Sequence, residues 1–577
     1  MAGVHFTEVA PAVDPSPNRA DVVCFVGFTA RRRQAVPRRV GDWLKVKEWR
    51  NLSPDDRKAI PLPTSKDEPG AAYVREWLLA NGWPKLDLKE SKEPGEEATV
   101  RTPLPPSAKE AVLAGGWRQR DKDSRDDDDL LHIPVLLETF ESFHHLFEWE
   151  SRAGSGFSTW LGAAVRSFFA QGGARCYVVR ADDPPPPEPR PPVQSRDLLQ
   201  KLIPSYDGGT PSAPLDQANW RGLEILRGLE ETAFVCLPDV PELVRDAAIV
   251  ATSLAPPAPG PEEFVECSDV AVQSDKEAPP PSSSPACRES GFQEWFKVSH
   301  AAATFVRGVR RDVELILAVP LPAEGSRPRG DLLQRLAQTG LSETLDQPLG
   351  IASAFLQLVY PWLATDGSSS LPGGLEPPDG VFAGAAARTI ATFGAHRSLA
   401  RQPLHRISRF YPKLPERDYQ LLTPRGEAPA LIHRVSLVGP TPNGPGILSD
   451  ITTSLSSAHR PAGVGRLTAA IVRTARQLGD EFMFEASGPD LWRKIESRLN
   501  NLLSQFYRAG ALLGESPEAA FSVRCDATTM TQNDQDHGRL LAIVEFAPAH
   551  PVGIITVTLS LQAGATLMAA ATEGSNV

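Results

Sequence analysis

The stretch 158–181, STWLGAAVRSFFAQGGARCYVVRA, sets the fold class. Leu161, Val165, Phe168 and Phe169 recur at three- and four-residue spacing, which places them on one face of a helix over 158–170. Gln171-Gly172-Gly173 supplies a stop, because glycine reaches the left-handed conformation that closes helices. The apolar run Arg175 to Val179 then reads as a buried strand. Helix, glycine turn and strand in succession form an α/β connection.

Working outward, the same order recurs twice. A helix over Trp220 to Leu229 precedes the strand Ala233 to Leu237, closed by Pro238. A helix over Phe292 to Val306 precedes the strand Val313 to Val319. Such alternation predicts a partly parallel sheet covered by helices, an α/β fold with α+β mixing.

The C-terminal third has its own pattern. Leu431 to Val438 reads as a strand, Leu467 to Leu478 as a helix and Phe482 to Phe484 as a short strand. The strongest helix covers Asp490 to Leu513, where Trp492, Ile495, Leu499, Leu502, Leu503 and Phe506 form one apolar stripe. Pro517 opens a short helix, and Phe521 to Cys525 and Leu540 to Phe546 are strands. Near the end, Ile555, Val557, Leu559 and Leu561 alternate with Thr556, Thr558 and Ser560, a strand with one buried face. Such a strand can complete its own sheet or be donated to a neighbour's edge.

Between these elements the chain is rich in proline, with 55 in 577 residues. Residues 183–192 (DPPPPEPRPP) and 255–285 read as exposed linkers, since proline supplies no donor to a sheet ladder. A PxxP ligand is the sharper alternative. The turn Gly439 to Gly446 reads as a rigid loop, and 31–130 as irregular. The acidic run Asp126 to Asp129 lacks the turn glycine and distal glutamate of a calcium loop and reads as solvated.

With 60 basic and 71 acidic side chains the net charge is −11, and Arg31-Arg32-Arg33 is too short to neutralise a phosphate backbone. No nucleic-acid partner is therefore expected. The six cysteines stand singly, most within apolar strands, and read as reduced cytosolic thiols. Met1 to Pro11 has neither the basic nor the apolar region of a signal peptide. No apolar run approaches the ~18 residues of a membrane span, so direct membrane insertion is not expected.

Catalytic signatures fail in turn. Neither G-x-x-x-x-G-K-[ST] nor a strand-linked G-x-G-x-x-G occurs, and G-x-S-x-G and H-E-x-x-H are absent. His144, His145 and Glu148 have no third metal ligand at readable spacing and read as an ordinary half-exposed group. Asp526, Asp534, Asp536 and His537 could serve acid–base chemistry, but a polar loop between strands is the better reading. No catalytic residue, cofactor or metal site is assigned.

Three segments together resemble the contractile tail sheath family of myophages and bacterial contractile injection systems. The first joins Ile133-Pro134-Val135, Phe140 to Phe147 and Trp160 to Ala181. The second is Asn219 to Leu223 with the strand ending at Pro238. The third and most specific runs from Leu491-Trp492 through Asn500, Phe506, Ala509-Gly510-Ala511-Leu512, Pro517 to Phe521, Val523 to Asp526 and Gly538-Arg539-Leu540 to Ala547-Pro548. Weaker likeness covers Gly3 to Glu8, Val22 to Gly27 and Pro377 to Arg388.

The resemblance implies a structural subunit that polymerises around an inner tube, with other sheath subunits, the tube protein and baseplate and cap proteins as partners, assembled in the cytoplasm. It implies a multidomain sheath-like fold: an N-terminal arm and first strand (1–30), a family-atypical surface insertion (31–130), a middle α/β region (131–375), a C-terminal α/β domain (376–551) and a C-terminal arm (552–577). Val4 and Phe6 would lie in one inter-subunit arm, and Val552, Ile555, Val557, Leu559 and Leu561 in the other. Arg493, Lys494 and Arg498 would face acidic residues of the tube. The alternatives are a baseplate- or cap-end adaptor of the same fold, and a hydrolase using the Asp526–His537 group.

Overall fold

The computed structural model describes residues 20–49, 71–81, 98–117, 130–246, 284–323, 349–414, 431–482, 488–549, 555–561 and 568–573, except 153–154, 188–189 and 538, with shorter pieces between. Eight strands form the main sheet: β1 (Val23–Phe28), β2 (Val135–Leu137), β3 (Cys176–Asp182), β4 (Phe234–Cys236), β5 (Glu314–Ala318), β6 (Leu356–Tyr360), β7 (Ser436–Thr441) and β8 (Gly444–Ile447). Their spatial order is β8-β7-β6-β5-β4-β1-β3-β2. The six inner strands run parallel, while β2 and β8 close the two edges antiparallel. Strands β1, β5 and β6 are buried at every position, as a sheet covered on both faces requires.

Three long helices cover this sheet: α1 (Trp160–Ala170), α2 (Glu289–Val309) and α3 (Asp379–Phe393). Helix α1 begins where Thr159 accepts a hydrogen bond from the Gly162 N–H at 3.1 Å. It ends at the predicted glycines: Gly172 has φ +93°, and the Phe168 ring fills the space a Cβ on Gly173 would need. Phe168 stacks edge-on against Phe25 of β1 at 5.5 Å. Helices α1 and α3 approach backbone to backbone: a Cβ on Gly380 would stand 2.5 Å from the Ala164 backbone, and one on Gly384 2.4 Å from the Phe168 carbonyl oxygen.

The local readings needed four corrections. Trp220 to Leu229 is not an α-helix; Gly222, at φ +52°, packs against the Leu202 carbonyl and starts a 3-10 segment, Gly222–Gly228. Leu431–His433 is also 3-10, and the strand starts only at Ser436. Gly439 to Gly446 is not a rigid loop but the turn end of the β7–β8 hairpin, with Pro440 opposite Pro445 on a sheet edge, where missing donors are tolerated. Phe482 sits in a turn, and Met483 and Phe484 lie outside the described residues.

The irregular reading of 31–130 is also corrected. Strands Arg33–Ala35, Leu88–Lys89 and Thr99–Arg101 form a small antiparallel sheet beside helices Arg38–Val46, Pro54–Ala59 and Ala71–Ala80. Val36, Val40, Leu44, Trp49, Val74, Leu78, Leu86 and Val100 make a separate core. Trp83 packs on Trp49 at 4.7 Å and on Trp43 at 5.6 Å. Helix Pro106–Ala114 instead contributes Ala108 and Val112 to the core of the main sheet. Asp126 to Asp129 lie outside the described residues.

A second, smaller unit follows. Strands β9 (Phe521–Arg524), β10 (Leu540–Phe546), β11 (Ile555–Leu561) and β12 (Met568–Glu573) form an antiparallel sheet in chain order. Helices α4 (Ala462–Glu481) and α5 (Pro489–Arg508) share its core. Along β10 burial alternates at every residue, the mark of a one-faced sheet. Helix α5 stops five residues before the expected Leu513. Gly510 at φ +73° sends its N–H to Tyr507 while Ala511 reaches Phe506, both at 2.9 Å, which is a Schellman closure.

Candidate assembly interface

Strand β11 is an inner strand of its own sheet, not a free arm. Phe546 pairs with Ile555, Val544 with Val557, Ala542 with Leu559 and Leu540 with Leu561. On the other side Ile555 pairs with Glu573, Val557 with Ala571 and Leu559 with Ala569. Ile555, Val557 and Leu559 are fully buried. The period-2 face that suggests donation is satisfied within one chain, and β12 takes the edge. Val4, Phe6 and Val552 lie outside the described residues.

Arg493, Lys494 and Arg498 do come together, on the outer side of α5. Each is exposed and holds a nearby carboxylate: Arg493 with Asp490, Lys494 with Glu485 at 2.8 Å and Arg498 with Glu481 at 3.4 Å. Lys494 also lies 5.8 Å from the Phe482 ring centre. Exposed pairs of this kind contribute ~0–1 kcal/mol, so a competing acidic surface would meet little resistance. On the opposite side Ile495, Leu499, Leu502 and Leu503 of the expected stripe are buried and Trp492 and Phe506 partly so, with Leu491 buried in addition.

Helix α4 joins the small unit to the main sheet through buried charge. The carboxylate of Asp312 accepts from Arg310 at 2.9 and 2.8 Å and pairs with Arg476 at 3.0 Å. Arg473 donates to the Asp312 carbonyl at 2.6 Å. Burial would push the Asp312 carboxyl up, but Arg310, Arg476 and Arg473 outweigh it and hold it well below the usual range. Arg310 also donates to the carbonyls of Leu226, Leu229, Glu230 and Thr232, anchoring the turn before β4.

A second pair lies about two helical turns earlier. Arg466 meets Asp450 through two hydrogen bonds of 3.1 and 2.6 Å, and Asp450 also accepts from Leu399 N–H and Gln357. Glu314 stands 3.8 Å from Arg466, without a hydrogen bond to either carboxyl oxygen. Burial raises it to about 8, opposed by Arg466 and reinforced by Asp450. No local pattern reveals these groups, because Arg473 and Asp312 are 161 residues apart. Only the Arg310-x-Asp312 spacing is visible in the chain.

At the C-terminal ends of the parallel strands, where open α/β sheets bind ligands, lies another acidic group. Asp239 accepts from Phe28 N–H at 2.9 Å and is raised by burial to about 7. Glu242 pairs with Arg152 at 2.8 Å and accepts from the Trp160 indole. Glu376 accepts from Ser167 at 2.7 Å and is raised by burial to about 8, and Asp379 to about 7. All four are buried, and hydrogen bonds tie Asp239, Glu242 and Glu376 to neighbouring loops and helices. Among the described residues no group of three or more His, Cys, Asp or Glu is placed to hold a metal ion.

The Asp526–His537 segment is built as a turn. Asp534 and Thr531 cap the short helix Gln532–Asp536 reciprocally, and Asp534 also lies 3.3 Å from Arg539. Asp526 accepts from Thr528 N–H at 2.7 Å, and His537 contacts the Asn533 carbonyl at 2.7 Å. Hydrogen bonds from Thr528 and Thr531 hold the Asp526 and Asp534 carboxyls below their usual range. His144 Nδ1 lies 3.1 Å from the Trp149 indole nitrogen and 2.9 Å from a carboxyl oxygen of Glu150, not Glu148, and its tautomer decides which of the two it bonds. No helix among the described residues is long and apolar enough to cross a membrane.

Neither the protein-family models nor the curated proteins include a match to this chain. Among solved structures, the chain is similar to the contracted helical sheath of the anti-feeding prophage, at 15% identity over 95% of this chain and 96% of that one, with a TM-score of 0.47. It is similar to a chain of the contracted anti-feeding prophage baseplate, at 19% identity over 72% and 86%, with a TM-score of 0.48. The sheath tail protein of Listeria innocua is similar at 11% identity over 77% and 91%, with a TM-score of 0.37.

Proposed function

We propose that the chain is the repeating subunit of a contractile sheath, which polymerises around an inner tube and shortens to drive that tube through a target envelope. The observation that carries this reading is the segment Leu491 to Pro548. Its residues resemble the sheath family, and in the structure they form the helix, turn and two strands on which the last two strands of the chain are laid. Strand β11 supplies a complete ladder to β10, so a neighbour's copy of β11 could occupy the same place by exchange. Main-chain hydrogen bonds between copies would then persist while the faces between subunit bodies repack, keeping the lattice connected as it contracts.

On this reading the outer side of α5, with Arg493, Lys494 and Arg498, contacts acidic residues of the tube protein. Baseplate and cap proteins cap the array, which assembles in the cytoplasm as a phage-tail-like particle. The small module within 31–130 decorates the outside.

Exchange is tested by cysteines at Ile543→Cys and Thr558→Cys, which face each other across β10 and β11. Oxidised tubes should release a ladder of covalent multimers on denaturing gels. Monomers alone would show that β11 stays in its own chain. Purified protein that gives only a single ring or monomer by electron microscopy would favour the end-specific adaptor instead.

A further inference from the structure

From Gly380 to Pro415 the chain contains no aspartate or glutamate, yet it carries Arg388, Arg397, Arg401, Arg406, Arg409 and Lys413. With those six removed, the rest of the chain has 54 basic and 71 acidic side chains, a net charge of −17. The concentration of one sign in so acidic a molecule is not what a uniformly solvated surface requires.

The structure lays residues 401–404 of this segment along one edge of the main sheet, and the following strand Ile407–Tyr411 pairs with Trp362–Thr365. Arg401 N–H reaches the Ile447 carbonyl at 2.7 Å and Leu404 N–H the Pro445 carbonyl at 2.9 Å, so the segment covers strand β8. Arg388 fastens it to α1 and to itself, donating to the carbonyls of Gln171 and Pro403 at 2.7 and 2.6 Å. Arg397, Arg401, Arg406 and Arg409 are exposed, and none forms a salt bridge among the described residues. Arg401 and Arg406 are held at φ +69° and +57°, a left-handed backbone that costs an arginine strain. At the end of α3, Phe393 is 55% exposed beside this strip.

We propose that this strip is an inter-subunit docking surface that receives an acidic face of a second copy of the chain. The inference rests on the sheath reading. Two observations favour a protein partner and, among proteins, another copy. Arginine with an exposed aromatic, and no acid, is the composition of interface centres rather than of ordinary surface, where lysine and glutamate dominate. A copy of net charge −17 outside its own strip offers the complementary field, and a strip-to-face contact is heterologous, the kind that propagates into rings and helices.

The test compares wild type with Arg397→Glu/Arg401→Glu/Arg406→Glu and with the charge-retaining Arg397→Lys/Arg401→Lys/Arg406→Lys, all as full chains. Tube formation is followed by electron microscopy and sedimentation between low and high salt. Wild-type assembly should weaken as salt rises. The glutamate variant should need about tenfold more protein to assemble at low salt, corresponding to ~1.4 kcal/mol, while the lysine variant stays near wild type and all three melt alike. Equal assembly and equal salt dependence of the glutamate variant would overturn the docking surface and leave the sheath reading standing. Wild type that forms no tubes at any salt would overturn the sheath reading itself. Loss of binding to duplex DNA or to an acidic tube protein, with self-assembly unchanged, would reassign the strip to that partner and overturn the proposal.

Discussion

At the scale of single residues, Glu314 shows how position overrides type. A glutamate in a strand reads as solvent-facing, but this one is enclosed beside Arg466 with both carboxyl oxygens unbonded. Its carboxyl titrates near 4.5 when unfolded and is raised by burial to about 8 when folded. The folded chain therefore holds the proton across that window, and stability is full below about 4.5 and falls as pH rises towards 8. The limiting slope for one group is about 1.4 kcal/mol per pH unit. Glu314→Gln should remove that slope, so its melting temperature gains on wild type from pH 5 to 8 and levels off above that. A constant difference over that range would show that Glu314 stays charged. Arg493, Lys494 and Arg498 were legible as one charged helix face because their spacing alone determines it. Arg466 and Arg473 were not, since nothing local distinguishes a buried arginine from an exposed one.

Elements were legible where periodicity and punctuation agreed. Strand β10 has the expected limits, and α1 stops at the expected glycines. Errors cluster where backbone conformation depends on a distant neighbour. Gly222 has φ +52° and the Leu202 carbonyl stands where a Cβ would be, and the expected helix is a 3-10 segment. Helix α3 shows packing deciding against propensity: Gly380 and Gly384, poor helix formers, are its contact face with α1. Gly384→Ala is the decisive substitution. Helix propensity favours alanine by about 1 kcal/mol, but a Cβ 2.4 Å from the Phe168 carbonyl oxygen forces α1 and α3 apart, at a cost of about 1–3 kcal/mol. Urea denaturation should show a loss; a gain would mean that the helices separate freely.

At the scale of the whole molecule, α4 is the joint. Its apolar residues belong to the small C-terminal core, while Arg473 and Arg476 reach Asp312 beside β5. Asp312→Ala would leave Arg310 and Arg476 without their shared carboxylate, while Arg473 keeps its bond to the residue 312 carbonyl, and breaking a buried pair in this way costs about 3–5 kcal/mol. Hydrogen exchange should then rise on both sides of the joint, in the Arg310 turn and along α4, with the β10–β11 ladder less affected. Unchanged protection would assign the joint to apolar packing alone. The sequence by itself determined the class of the fold, its main helices and strands and its apolar faces, because these follow from residue periodicity and from glycine and proline. Only the tertiary structure decided that β11 lies inside its own sheet, that 33–101 builds a separate tryptophan core, and that the arginines of α4 are buried. Each depends on pairing across long stretches of chain, where burial and charge are properties of the assembled neighbours and not of the local run of residues.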